Sequence, residues 1–261
     1  MTITKNSIDL VTLTDWEQHA GPKRAMQWAD GRSAKEAARA WLEGQGRDLP
    51  KEVATALAAH DAFGPVLSWQ AEPEAKLPFD TFQGEPRNSD LVVYAEDAHG
   101  PYLIAVEAKA DEPYGDTVSK TLDAALERYL ANPRSNGVAR IQQLVRALLG
   151  PAHKGDAKIR GLRYQLLTAC AGALCEAERR GVSRAVMLVH EFITDKTTDE
   201  NHARNSRDLD TFVKRLSHDA VHAIGSGEIH GPFEVPGAPL LNTRIPLYLG
   251  KVSRNLRSAR A

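Results

Sequence analysis

The chain of 261 residues carries only two cysteines, no long apolar run and almost no net charge. Cys170 and Cys175 lie five apart within one helical pattern, so a disulfide scaffold is excluded and a reduced, cytoplasmic setting is expected. No apolar stretch approaches the roughly 18–20 residues that span a bilayer, which leaves no membrane partner. The opening Met1-Thr2-Ile3-Thr4-Lys5-Asn6 lacks the apolar segment of a secretory signal. With 33 lysines and arginines against 34 acids, the balance at first argues against a polyanion partner. What is present is enough for a globular protein: 42% hydrophobic and 26% charged residues exclude general disorder. The length allows a core that needs neither disulfides nor structural metal.

The charge average hides an asymmetry. From Glu72 to Glu127 there are 4 basic residues against 13 acids, a net of −9, and the remainder carries +8. Such segregation is either a solvated surface or a set of carboxylates gathered for a cation, with basic flanks left to meet an anion. On the second reading the acids cluster at the metal and the flanks hold a phosphate backbone.

The first 30 residues show little periodicity. Ser33 as N-cap with Glu36 three residues on predicts a helix through Leu42, ended by Gly44 and Gly46. Pro50 opens a second helix, from Lys51 to about His60. Residues 63–86 are broken by proline and glycine, with one short strand at Val66–Trp69. Leu91–Ala95 and Tyr102–Val106 are strands joined by the turn-rich residues 96–101. Helices are expected over Lys120–Leu130, Val138–Leu149, Leu162–Arg180 and Asp208–Ile224, a strand at Arg184–Val189, and a late edge strand at Ile245–Leu249. No repeat or low-complexity linker interrupts the pattern. It predicts a single α/β domain over residues 1–261, with a core at about 66–193, a helical N-terminal extension at about 1–62, and a C-terminal helix and edge strand at about 200–261.

One stretch carries chemistry. Tyr102-Leu103-Ile104-Ala105-Val106-Glu107-Ala108-Lys109 runs from an apolar strand into acid, small residue, lysine. Residues two apart in a strand share a face, so Glu107 and Lys109 project together, which is costly unless they are partnered or hold an ion. If Glu96 pairs with Pro101 around a four-residue loop at 97–100, Asp90 lies opposite Glu107, with Cβ atoms roughly 4.5–5.5 Å apart. Two carboxylates that close repel unless a divalent cation sits between them, and hard oxygen ligands favour Mg2+ or Mn2+. A bulge in the loop breaks this register.

Ser89-Asp90 before an apolar strand, with Glu107-Ala108-Lys109 ending a second, resembles the PD-(D/E)xK nuclease superfamily. The resemblance covers roughly Val66 to Val189 and implies a restriction-endonuclease-like α-β-β-β-α-β core, with a mixed central sheet flanked by helices and N- and C-terminal additions. It implies that Asp90 and Glu107 bind the metal, that Ala108 lends its carbonyl, and that Lys109 orients the attacking water. It also implies a role for Gln165 on the following helix. One more acid is often supplied from an earlier element; Glu72, Glu74 and Glu36 are candidates, with Glu72 carried as the possible metal ligand. The residue before Asp90 is serine where the family pattern has proline. The opening Trp28…Asp30-Gly31-Arg32-Ser33-Ala34 resembles an uncharacterised bacterial family and implies no activity. Two further acid-x-lysine copies, Glu74-Ala75-Lys76 and Asp156-Ala157-Lys158, lack the preceding apolar strand and are taken as decoys.

The implied activity is Mg2+-dependent phosphodiester hydrolysis on nucleic acid, as a DNA endonuclease, with a homodimer one way to make two cuts in a duplex. The alternative is a catalytically inactive module of the same fold that binds nucleic acid or a protein. Without the resemblance, Glu107 and Lys109 form a surface salt bridge and Asp90 a strand-initiating turn. His218 and His222, four apart on an expected helix, offer a zinc pair without an evident third ligand. His190 and Glu191 end a strand. Arg32, Lys154, Lys158, Arg160 and Arg163, and a basic tail of Lys251, Arg254, Arg257 and Arg260, are candidate phosphate contacts.

Overall fold

The computed structural model of the chain describes residues 1–257 with the exception of 23, 45–46, 83–84 and 243. Among these, eight strands form one mixed sheet. In chain order they are β1 (Thr2–Lys5), β2 (Ile8–Asp9), β3 (Ser68–Leu77), β4 (Arg87–Asp97), β5 (Gly100–Lys109), β6 (Ala185–Ile193), β7 (Glu228–Phe233) and β8 (Leu247–Asn255). Their spatial order is β2-β1-β3-β4-β5-β6-β8-β7. Strands β3, β4 and β5 are an antiparallel meander, and β6 and β8 continue the sheet parallel to β5.

Helices cover both faces. Those on one face are α1 (Leu13–Ala20), α2 (Ser33–Leu42) and α3 (Lys51–Ala58); those on the other are α4 (Val118–Ala131), α5 (Gly137–Leu149), α6 (Tyr164–Arg180) and α7 (Asp199–Leu216). Burial on both faces explains why β5 and β6 are almost continuously apolar rather than alternating. On β5, Tyr102, Ile104 and Val106 pack toward α2, while Leu103 and Ala105 pack toward α6.

The hairpin is tighter than expected. Asp97 pairs with Gly100 around the two residues Ala98 and His99, yet Glu96 still faces Pro101, so the register matches the expected one. Its tip is clamped by Arg184, which donates to both oxygens of Asp97 at 3.0 and 2.7 Å.

Several expectations are corrected. The N-terminal extension is not wholly helical: β1 and β2 join the sheet edge. Helix α1 is announced by a capping box, Thr12 with Asp15, that its polar composition conceals. Ser33 is the first residue of α2 rather than its cap; Glu36 accepts instead from the Gly31 N–H and from Arg39. Strand β3 runs ten residues through Pro73, well beyond the short strand expected at Val66–Trp69. Helix α7 starts at Asp199 and ends at Leu216, because its first half is too polar to show an apolar stripe and because His218 and Asp219 adopt left-handed φ values of 49° and 72°. The late strand is not an edge: β8 lies between β6 and β7, with Gly250 passing close to Leu188 and Ile229.

Gly172 sets how closely α6 approaches β3. A Cβ there would lie 3.0 Å from Leu77 Cβ, in a helix buried from Leu166 to Leu174. Gly172→Val is expected to destabilise the protein by about 1–3 kcal/mol through overpacking. Urea denaturation reads this as a lower midpoint at unchanged slope, and an unchanged midpoint would show that the contact is not limiting.

Candidate active site

The site lies at one end of the β3–β4–β5 meander. The β4–β5 pairing ends at Leu91 and Val106, and just beyond it the Asp90 carboxylate accepts from the Ala108 N–H, beside Glu107. The β3–β4 register is the same on both sides of Glu74 and sets Glu74 opposite Asp90. Three acids from three adjacent strands, Glu74, Asp90 and Glu107, thereby line one cleft. At Glu74 the backbone takes φ 49° and the side-chain alternation inverts. Trp69 and Ala71 pack on the α2 face before it, and Ala75 and Leu77 on the α6 face after it. The supposed decoy Glu74-Ala75-Lys76 thus lies inside a strand and lends its acid to the cleft.

The cleft has a volume of about 640 Å³, and its walls include Glu74, Asn88, Asp90, Glu107, Ala108, Lys109 and Gln165. Asp90, Glu107, Ala108, Lys109 and Gln165 are brought together as expected. Glu72 is not among them: it pairs with Lys5 at 3.0 Å on the neighbouring strand, and Glu74 lines the cleft in its place. Glu36 is likewise held by Arg39.

Glu107 is 2% exposed and Lys109 is 4%, which excludes a surface salt bridge. Lys109 Nζ donates to Glu107 Oε1 at 2.8 Å, Gln165 Nε2 donates to the same oxygen, and Arg87 Nη2 donates to Oε2. Burial by itself raises the Glu107 pKa, but the Lys109 and Arg87 cations outweigh it and hold the group below the usual range. For Lys109 burial opposes the charge, while Glu107, Asp90 and Glu112 raise its pKa, so it stays an ammonium. Asp90 Oδ2 accepts from the Ala108 N–H at 2.7 Å, yet burial and the Glu107 charge push its pKa up to about 8. Ser89 donates to the carbonyls of Leu91 at 3.1 Å and Val106 at 3.2 Å, tying β4 to β5.

Arg87 and Asn88 were missed by the sequence reading. Asn88 donates to Glu74 at 3.3 Å. Extending β3 to Leu77 would have revealed Glu74 through register alone. Arg24 and Arg32 also line the cleft, with Arg32 on Asp111 at 2.5 Å. Arg24 is exposed and makes no ion pair among the described residues.

The wider charge pattern is less concentrated than its sequence. Asp97 sits at the far end of the hairpin on Arg184, Asp80 on Arg140 and Asp116 on Lys120. Much of the basic tail is also committed: Lys251 to Glu191, Arg254 to Glu43 and Glu52, and Arg257 to Asp199. Arg260 lies outside the described residues. Arg163 pairs with Asp208. His190 of β6, beside Ala108, is buried on Glu52, and Glu191, beside Lys109, bonds to His202; neither lines the cleft. His218 and His222 share no helix, since α7 ends before them; His218 stacks on His153 at 4.2 Å.

A family model described as a domain of unknown function, DUF6946, matches residues 9–256. The chain belongs to this family. No curated protein and no solved structure matches it. No helix among the described residues is long and apolar enough to cross a membrane.

Among the described residues, no group of three or more histidines, cysteines and acids stands ready to hold a metal. Asp90, Glu107 and Glu74 share the cleft lining, and carboxylates are hard oxygen donors. Asp90 is ionised in the unfolded chain above its ordinary pKa of 3.8 but protonated in the fold up to about 8. Its raised folded pKa means that the stability it allows is full below about 4 and lost as pH rises toward 8. Asp90→Asn keeps the acceptor for the Ala108 N–H and removes this titration. In chelator, its melting temperature is expected to exceed wild type by about 3 °C or more at pH 8. The gap grows between pH 4 and 8 and then levels. A gap independent of pH would contradict the assignment.

Proposed function

We propose that the protein is a metal-dependent phosphodiester hydrolase acting on nucleic acid, a DNA endonuclease of restriction-endonuclease-like fold. The observation that carries this reading is the pairing of Asp90 with Glu107 and Lys109 in one cleft, joined by Gln165 from α6. The order α3, β3–β5, α4–α6, β6 is compatible with an α-β-β-β-α-β core in which α4 and α5 are additions before α6.

Asp90 and Glu107 would hold Mg2+ or Mn2+, with Glu74 and the Ala108 carbonyl within the same cleft. A bound ion supplies a water of lowered pKa and screens charge on the phosphoryl group. Lys109 holds its ammonium beside Glu107, where it orients a water and stabilises negative charge at the scissile phosphate. Gln165 restrains the Glu107 carboxylate. Arg24 and Arg32, which also line the cleft, would meet phosphates of the bound strand.

A second reading has its own support. Glu107 is already neutralised by Arg87 and Lys109, an arrangement that also suits a non-cutting module of the same fold that binds nucleic acid or a protein.

Cleavage of linear, circular and single-stranded DNA with several divalent metals separates the two. Asp90→Ala and Lys109→Ala are each expected to lose about 100-fold or more of the magnesium-dependent rate while keeping the wild-type circular dichroism spectrum. Wild-type protein that cuts neither DNA nor RNA with any metal favours the module. Arg24→Glu is expected to weaken DNA binding measured in chelator and to reduce the salt slope by about 1, the signature of one lost phosphate contact. An unchanged slope would place the backbone path elsewhere.

A further inference from the structure

This inference rests on the metal-site reading above and concerns Arg87. The two oxygens of Glu107 are differently engaged. Oε1 accepts from both Lys109 and Gln165, whereas Oε2 accepts from Arg87. Oε2 is therefore the oxygen with capacity left for a cation shared with Asp90. A divalent ion there would stand against the guanidinium in a poorly screened site, and like charges at that range repel strongly.

Arg87 is weakly tied elsewhere. Its Nη1 reaches Thr168 Oγ1 at 3.3 Å, and its Nε is buried without a hydrogen-bond partner. It also has somewhere to go. A second cavity of about 440 Å³ lies beyond it, lined by Arg87, by the acids Glu85 and Asp116, the latter paired with Lys120, and by Arg140, whose charge Asp80 meets. Asn88 and Gln165 line both this cavity and the catalytic cleft, so the two spaces adjoin at Arg87.

We propose that Arg87 is a resident counter-ion of the metal position: it neutralises Glu107 in the metal-free protein and withdraws into the adjacent cavity when a divalent cation takes Oε2. It is a positioning residue, acting through Glu107. Its presence lets a buried acid pair exist before metal arrives, at the expense of metal affinity.

Calorimetric titration of the full chain with Mn2+ tests this. Arg87→Gln is expected to bind at least about tenfold more tightly than wild type, the scale of one charge-assisted hydrogen bond lost from the metal-free state. Arg87→Lys, which keeps the charge, stays close to wild type. A purely structural arginine would lower stability without tightening the metal. Arg87→Gln binding no tighter than a wild type that does bind overturns the role of Arg87 and leaves the metal site standing. Failure of both to bind removes the metal reading and this inference with it. Should Arg87→Gln not fold, the wild-type chain still decides. Titration with diamagnetic Mg2+ is expected to shift the Arg87 Nε–H resonance, assigned by its loss in Arg87→Lys. An unmoved resonance at saturation overturns the proposal.

Discussion

Glu107 is an almost fully buried carboxylate set beside another acid, in a sheet covered by helices on both faces. Such a group is tolerated only when its charge is met, and here the neighbouring elements converge to meet it. Strand β4 supplies Arg87, β5 itself supplies Lys109, and the first turn of α6 supplies Gln165. Asp90 resolves the remaining conflict by accepting the Ala108 N–H and giving up its ionisation. The same constraint shapes β3, whose inversion at Glu74 brings a third acid to the cleft while its flanks stay apolar.

The site is held by features far from it. The hairpin that brings Asp90 beside Glu107 is anchored at its other end by Arg184 on Asp97, and a slip of one residue there would turn Glu107 and Lys109 to the opposite face. Gly172 lets α6 close on β3 and so places Gln165 at the cleft. Buried charge is thus accommodated by register and packing together, an arrangement typical of sites where stability yields to function.

The parts legible in the sequence were those where one physical effect dominated. Strands β4, β5 and β6 announce themselves as apolar runs, and the expected pairing of Glu96 with Pro101 holds even though the turn is shorter. Glu74 was a candidate acid, but its place in a strand was hidden because Pro73 and a left-handed residue disguise the strand as a loop. Helix α1 and the first half of α7 were hidden because caps, rather than apolar stripes, define them. Charge counting was the least faithful guide. Acids close in sequence divide between the two ends of the hairpin, and most of the basic tail is spent on ion pairs. Arg87 carried no signal in the sequence, since its importance lies in which oxygen of Glu107 it occupies.

The central claim is that Asp90 and Glu107 together form a divalent-cation site. Anomalous diffraction from crystals soaked in Mn2+ tests it most directly. The account predicts a manganese peak between the two carboxylates, in contact with Glu107 Oε2, with Arg87 moved toward Glu85. Saturating Mn2+ with no peak there, and Arg87 still on Glu107, would contradict it.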